Sequence, residues 1–114
     1  MSETDIVRDA MTALPYLLPR CKPIRVNSGR RGGVRMTSEK VPDIIGVLAD
    51  GKFMAIEVKT EDGQLRDEQY AFLADTHKRG GYAGLFTPSG LFRFADMPAK
   101  HMTPAQRERH GVGR

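Results

Sequence analysis

Apolar residues recur at helical spacing from the start of the chain: Ile6, Ala10, Ala13, Leu14 and Leu17, with Val7, Met11 and Leu18 alongside. Ser2 and Asp5 stand three apart, as in a capping box with Asp in place of Glu, so a helix is expected from about Glu3. Pro15 bends or ends it. The period then changes to two. Residues 24–28 alternate as a short strand does, and the glycines of 29–33 break that run into a loop. Two apolar, β-branched runs, 41–48 and 53–60, flank Asp50-Gly51, a dipeptide that signals a hairpin. In the second run Phe53, Ala55, Glu57 and Lys59 share one face, and Met54, Ile56, Val58 and Thr60 the other. Asp67 can cap a helix whose faces are Tyr70, Leu73 and His77, or Gln69, Phe72 and Thr76. Lys78 and Arg79 complement its C-terminal dipole, and Gly80-Gly81 stops it. Residues 82–86 and 91–95 read as two last strands around Pro88-Ser89-Gly90, and residues 98–114 as a basic, flexible tail. The order α-β-β-β-α-β-β predicts an α/β fold: one mixed sheet flanked by helices, in a single domain over residues 1–97.

Composition narrows the class. A chain of 114 residues with 39% hydrophobic and 28% charged residues suits one soluble domain that needs no staples. The longest uncharged stretch, residues 80–92, falls short of the roughly 20 apolar residues of a membrane span. The first residues are acidic where a secretory signal is basic, so a cytoplasmic protein is expected. Cys21 is the single cysteine, which excludes an internal disulfide or a paired-cysteine metal site. No phosphate-binding glycine motif supports a nucleotide cofactor, and His77, His101 and His110 lack ligand spacing.

Charge adds a partner. Eighteen Lys and Arg stand against 14 Asp and Glu, for a net charge of +4. Seven of the basic residues (Arg20, Lys22, Arg25, Arg30, Arg31, Arg35 and Lys40) fall between positions 20 and 40 with Glu39 as the sole acid, so the remainder of the chain is net acidic. Such clustering is the footprint of a phosphate-backbone partner. Arg30 and Arg31, in the glycine-rich loop, are suited to fork onto phosphates.

The candidate chemistry follows directly after that window. Counting back from Asp50-Gly51 places Asp43 seven positions before the turn, and Glu57 six after it, so the two lie near one another on a paired hairpin. Two carboxylates beside a basic surface suit Mg²⁺, with waters and substrate phosphate completing its shell. Lys59 shares the face of Glu57, where an ammonium can hold an attacking water and offset charge on a scissile phosphate. The carbonyl of Val58 can add a ligand. A Glu-x-Lys pair on a strand is ordinarily a surface ion pair worth about 0–1 kcal/mol. Here the intervening residues are apolar (Ile44, Ile45, Met54, Ile56, Val58), so the acids belong to core strands, where an unpaired charge is costly.

Four segments in order resemble the VRR-Nuc domain, the virus-type replication-repair branch of the PD-(D/E)xK nucleases. They are Arg25-Val26-Asn27-Ser28-Gly29, Pro42-Asp43-Ile44-Ile45, Ile56-Glu57-Val58-Lys59-Thr60, and Gln69 near the start of a helix. The resemblance implies a restriction-endonuclease-like fold and Mg²⁺-dependent cutting of branched DNA, with Mn²⁺ as a substitute. It makes Asp43 and Glu57 metal carboxylates, Lys59 the catalytic lysine, and Gln69 a residue that orients water or substrate. It also implies an acid on the first helix near the metal; Glu3 is the best positional match, with Asp5 and Asp9 as rivals. Arg25, Asn27, Ser28, Arg30, Arg31, Arg35 and Lys40 become the expected DNA contacts. Stand-alone relatives in phages and prophages imply a homodimer acting on four-way junctions. The chain departs from the family at Val41, where glycine commonly precedes Pro-Asp, and at Arg66-Asp67-Glu68, which replaces a small hydroxyl cap. The alternatives are a nuclease for flaps, nicks or single strands, and a non-catalytic DNA-binding module.

Overall fold

A computed structural model describes residues 2–26 and 41–111, together with the backbone of two short strands at 30–31 and 34–35. Helix α1 (Glu3–Leu17) opens on the expected capping box: Ser2 Oγ accepts the Asp5 N–H at 3.2 Å, and the Asp5 carboxylate faces the Ser2 N–H. Pro15 does not end it. The helix runs on to Leu17 and closes with the Leu18 N–H on the Leu14 carbonyl.

Strand β1 is Lys22–Arg25, β2 Arg30–Arg31, β3 Val34–Arg35, β4 Ile44–Val47 and β5 Phe53–Val58. Helix α2 (Asp67–Lys78), β6 (Tyr82–Thr87), β7 (Gly90–Arg93), two short 3₁₀ turns and helix α3 (Pro104–Gly111) follow. The main sheet is mixed, in the order β1-β4-β5-β6-β7. All its pairs are antiparallel except β5–β6, the parallel pair that requires a crossover, which α2 provides. Strands β2 and β3 form a separate two-stranded ribbon, β2 lying within residues 29–33, expected as a loop, and β3 directly after them.

The hairpin forms around Asp50-Gly51 as expected. Gly51 adopts φ +89° and donates to the Leu48 carbonyl, while Asp50 Oδ1 accepts the Lys52 N–H. The ladder pairs Val47 with Phe53, Ile45 with Ala55 and Ile44 with Ile56. The strands are shorter than the apolar runs, and β1 begins two residues earlier than the alternation suggests. Alternation on β5 divides the core. Met54, Ile56 and Val58 pack with Ile6, Val7, Ala10 and Leu14 of α1. Ala55 packs on the other side with Tyr70 and Leu73 of α2, and with Leu85, Phe94, Met97 and Met102. On α2 the buried face is Gln69, Tyr70, Leu73 and Thr76, a stripe that combines the two expected faces.

The end of the chain corrects the expectation of a frayed tail. Residues 98–111 are folded as a 3₁₀ turn and α3, and Met102, His101, Gln106 and His110 are buried. Thr103 and Gln106 form a reciprocal cap, with Gln106 Oε1 accepting the Thr103 N–H at 3.1 Å and Thr103 Oγ1 accepting the Gln106 N–H at 3.2 Å. Pro104 takes the first helical position, where its missing N–H costs nothing. No helix among the described residues is long and apolar enough to cross a membrane.

Candidate active site

The site gathers at the carboxyl end of β5 and the start of α2. Asp43 precedes β4 by one residue, and continuing the Ile44–Ile56 register sets it opposite Glu57. Its backbone carbonyl accepts the Val26 N–H at 2.8 Å, and its Oδ2 accepts the Val58 N–H at 2.9 Å. The side chain is thereby pinned across the hairpin with its second oxygen outside that bond. Val58 enters through this N–H, its side chain being part of the core.

Glu57 is 1% exposed. Gln69, on the first turn of α2, points its Nε2 at Glu57 Oε1 across 3.5 Å, while its Oε1 accepts the Arg66 N–H at 2.9 Å. One amide thus closes the N-terminus of α2 with its oxygen and reaches the site with its nitrogen. Arg66 carries no side-chain acceptor for the other half of a capping box, which leaves this end of α2 to Gln69. Lys59, also buried, continues β5, its N–H bonded to the Phe86 carbonyl at 3.0 Å.

The electrostatics are those of crowded acids. Burial, and after it the charge and shared proton of Asp43, push the Glu57 carboxyl up to about 9, against the opposing pull of Lys59. Glu3 is also raised. Partial desolvation is the main cause, Asp43 adds to it, and Lys59 and Arg66 oppose it. Glu3 is therefore the first-helix acid that feels the site. Asp5 is held below its usual range by Ser2 first and then by Arg8, a local arrangement at the helix end.

Two neighbouring carboxylates, with Glu57 buried, can both ionise cheaply only with a cation between them. Hard carboxylate oxygens on Asp43 and Glu57 fit a magnesium-type ion that keeps several waters. Among the described residues, no group of three or more His, Cys, Asp or Glu side chains is placed to hold a metal ion, so Asp43 and Glu57 are not joined by a third such side chain.

The structure brings together Asp43, Glu57, Lys59 and Gln69, with Glu3 at the margin. It also adds Arg66, whose charge acts on Glu3. In the sequence Arg66 was visible only as an unusual residue ahead of the Gln69 helix. Arg25 is exposed at the end of β1. Arg30, Arg31 and Arg35 lie on β2 and β3 with their side chains outside the described residues, and Asn27, Ser28 and Lys40 lie outside them altogether.

A comparison with protein families matches residues 14–87 to the VRR-NUC domain. The chain belongs to the VRR-NUC domain family. The match spans β1 to β6, so it takes in Asp43, Glu57, Lys59 and Gln69. A VRR-NUC domain is a nuclease domain whose substrate is DNA. Glu3 precedes the match, and β7, the 3₁₀ turns and α3 follow it. No curated protein matches the chain.

Proposed function

We propose that this VRR-NUC protein is a divalent-metal-dependent endonuclease that hydrolyses phosphodiesters in branched DNA, as a homodimer resolving four-way junctions. The observation that supports this best is the convergence of Asp43 and Glu57 at the end of β5, with Lys59 and Gln69 beside them. Asp43 and Glu57 hold Mg²⁺ or Mn²⁺, the Val58 carbonyl adds a ligand, and Glu3 contributes a further negative charge. Bound there, the ion supplies Lewis-acid polarisation of the scissile phosphate and a water of lowered pKa.

The Lys59 ammonium sits against the water and the phosphate, orienting attack in line with the leaving 3′-oxygen and offsetting the charge that develops on the phosphate. Gln69 keeps Glu57 in place through its amide. The products carry 5′-phosphate ends. Arg25, Asn27, Ser28, Arg30, Arg31, Arg35 and Lys40 grip the backbone. A four-way junction needs two symmetric incisions while one domain offers one site, which is the reason for the dimer. The setting is the cytoplasm of a bacterial host, the gene being of phage or prophage type.

The test is cleavage of labelled four-way junction, flap and linear duplex DNA, with Mg²⁺ and with EDTA, beside sedimentation of the protein with and without junction. Paired, metal-dependent incisions in the junction by a dimer are expected. Cutting mainly of flaps would move the substrate, and binding without cutting in either metal would make this a binding module.

A further inference from the structure

The segment beyond the matched domain is tied, bond by bond, to the loop that joins the two halves of the site. Residues 60–66 connect β5, which carries Glu57 and leads into Lys59, to α2, which carries Gln69. His101 is fully buried. Its Nδ1 lies 2.7 Å from the Gly63 carbonyl, and its Nε2 has no partner among the described residues, so the ring proton sits on Nδ1 and is donated to Gly63. The His101 carbonyl accepts the Leu65 N–H at 2.8 Å. Lys100 reaches Glu61 at 3.2 Å.

Gly63 is where this hold meets the site. A Cβ placed there would stand 3.2 Å from Lys59 Cδ and 3.3 Å from its Cβ, so the loop backbone lies directly on the lysine stem. Fixing Gly63 fixes the backbone against which the Lys59 stem packs.

Gln106 does the same for the other half. It is fully buried, with its Oε1 used in the cap of α3. Its Nε2 donates to the Leu65 carbonyl and to Asp67 Oδ1, each at 3.0 Å. Leu65 and Asp67 flank Arg66, whose N–H is held by Gln69. Every hydrogen-bonding direction of the Gln106 amide nitrogen is thus spent on the start of α2. A surface tail has no need of two buried polar side chains, since burying them is costly unless each is paired.

We propose that the C-terminal segment 97–111 is a positioning element of the active site, with His101 acting through Gly63 on Lys59 and Gln106 acting through Leu65 and Asp67 on Gln69. It rests on the roles proposed above for Lys59 and Gln69. His101 and Gln106 are positioning residues that touch neither metal nor DNA.

The test compares His101→Leu, which removes the donor, with His101→Asn, whose amide donates from near the Nδ1 position, and with Gln106→Glu, which keeps the cap acceptor and loses the donors. In the metal-free protein the NMR resonance of Lys59 Cε is expected to move in His101→Leu and to stay near wild type in His101→Asn. The Gln69 side-chain amide resonance is expected to move in Gln106→Glu. With Mg²⁺ and junction DNA, kcat is expected to fall between about tenfold and a hundredfold in His101→Leu and Gln106→Glu, with KM unchanged, because a small misplacement of a positioned group costs rate rather than binding. Wild-type resonances and kcat in folded His101→Leu or Gln106→Glu would overturn the proposal. If His101→Leu does not fold, Gln106→Glu decides by the same readouts. If the wild-type protein cuts no DNA, the nuclease reading fails while the resonances still judge the positioning.

Discussion

The carboxylate of Asp43 accepts the backbone N–H of Val58 at 2.9 Å, and the residue before Val58 is Glu57. One hydrogen bond across the hairpin therefore sets the distance between the two acids on which the proposed chemistry rests. Asp43→Asn keeps an acceptor for Val58 and removes the charge. It should leave the fold intact and reduce Mg²⁺-dependent cleavage by about a hundredfold or more, as expected when a group that stabilises transition-state charge is lost. Asp43→Ala should lose activity too, and in addition about 1–3 kcal/mol of stability, because the buried N–H is left without a partner. Denaturant titration beside cleavage separates the two variants; equal stabilities would mean that the Val58 bond does not hold the site.

Stability should depend on pH through Glu57. Its carboxyl is raised to about 9 in the folded protein, from 4.5 when unfolded. The folded state therefore keeps a proton that the unfolded chain releases. The stabilising contribution is complete below about pH 4.5 and is lost as pH rises towards 9, at no more than about 1.4 kcal/mol per pH unit. In EDTA, wild type should weaken between pH 5 and pH 8 relative to Glu57→Gln, which cannot titrate there. Mg²⁺ should restore wild type increasingly at the higher pH, since a ligand carboxylate must lose its proton to bind. Parallel pH profiles for the two proteins would remove the buried acid pair from the account.

DNA affinity should fall steeply with salt. About four to six phosphate contacts give a log–log slope near −4 to −5. Replacing Arg30 and Arg31 together by alanine should flatten that slope by about 1–2, measured by fluorescence anisotropy on junction DNA. A slope unchanged by the double replacement would place the grip elsewhere than the basic segment.

Gly46 tests the sheet that carries the site. A Cβ at this position would collide with the Lys22 carbonyl on the neighbouring strand. The obstacle is backbone, so it cannot be relieved by a rotamer change. Gly46→Ala should cost about 1–3 kcal/mol and expose the β1 amides to hydrogen exchange, while β5 and β6 stay protected. Wild-type stability would show that β1 and β4 are less tightly apposed.

The placement of Asp43 opposite Glu57 was legible in the sequence, for a simple reason. Hairpin register is set by turn chemistry, and Asp50-Gly51 fixes the count that sets Asp43 against Glu57. The alternation of 53–58 likewise foretold which residues share a face, and the structure sets Met54, Ile56 and Val58 against α1 and Ala55 on the side of α2. What the sequence hid are features stabilised by polar burial. Hydrophobic periodicity is silent on α3 because its buried positions are Gln106 and His110 rather than Leu or Val. The signal present was a capping one, Thr103-Pro104 followed by Gln106, in a stretch whose basic residues gave the impression of a tail. Of the two outcomes expected at Pro15, the structure excludes the ending: α1 continues to Leu17, and the proline removes one intrahelical N–H donor.

The most direct measurement is the Mg²⁺-dependent cleavage rate of Glu57→Gln on a labelled four-way junction, beside its melting temperature at pH 8. The account predicts a protein at least as stable as wild type that cuts at least about a hundredfold more slowly, because the neutral amide is buried without the proton that folded Glu57 must hold at pH 8, and because it deprives the metal site of a ligand. A folded Glu57→Gln that cuts at the wild-type rate would contradict it.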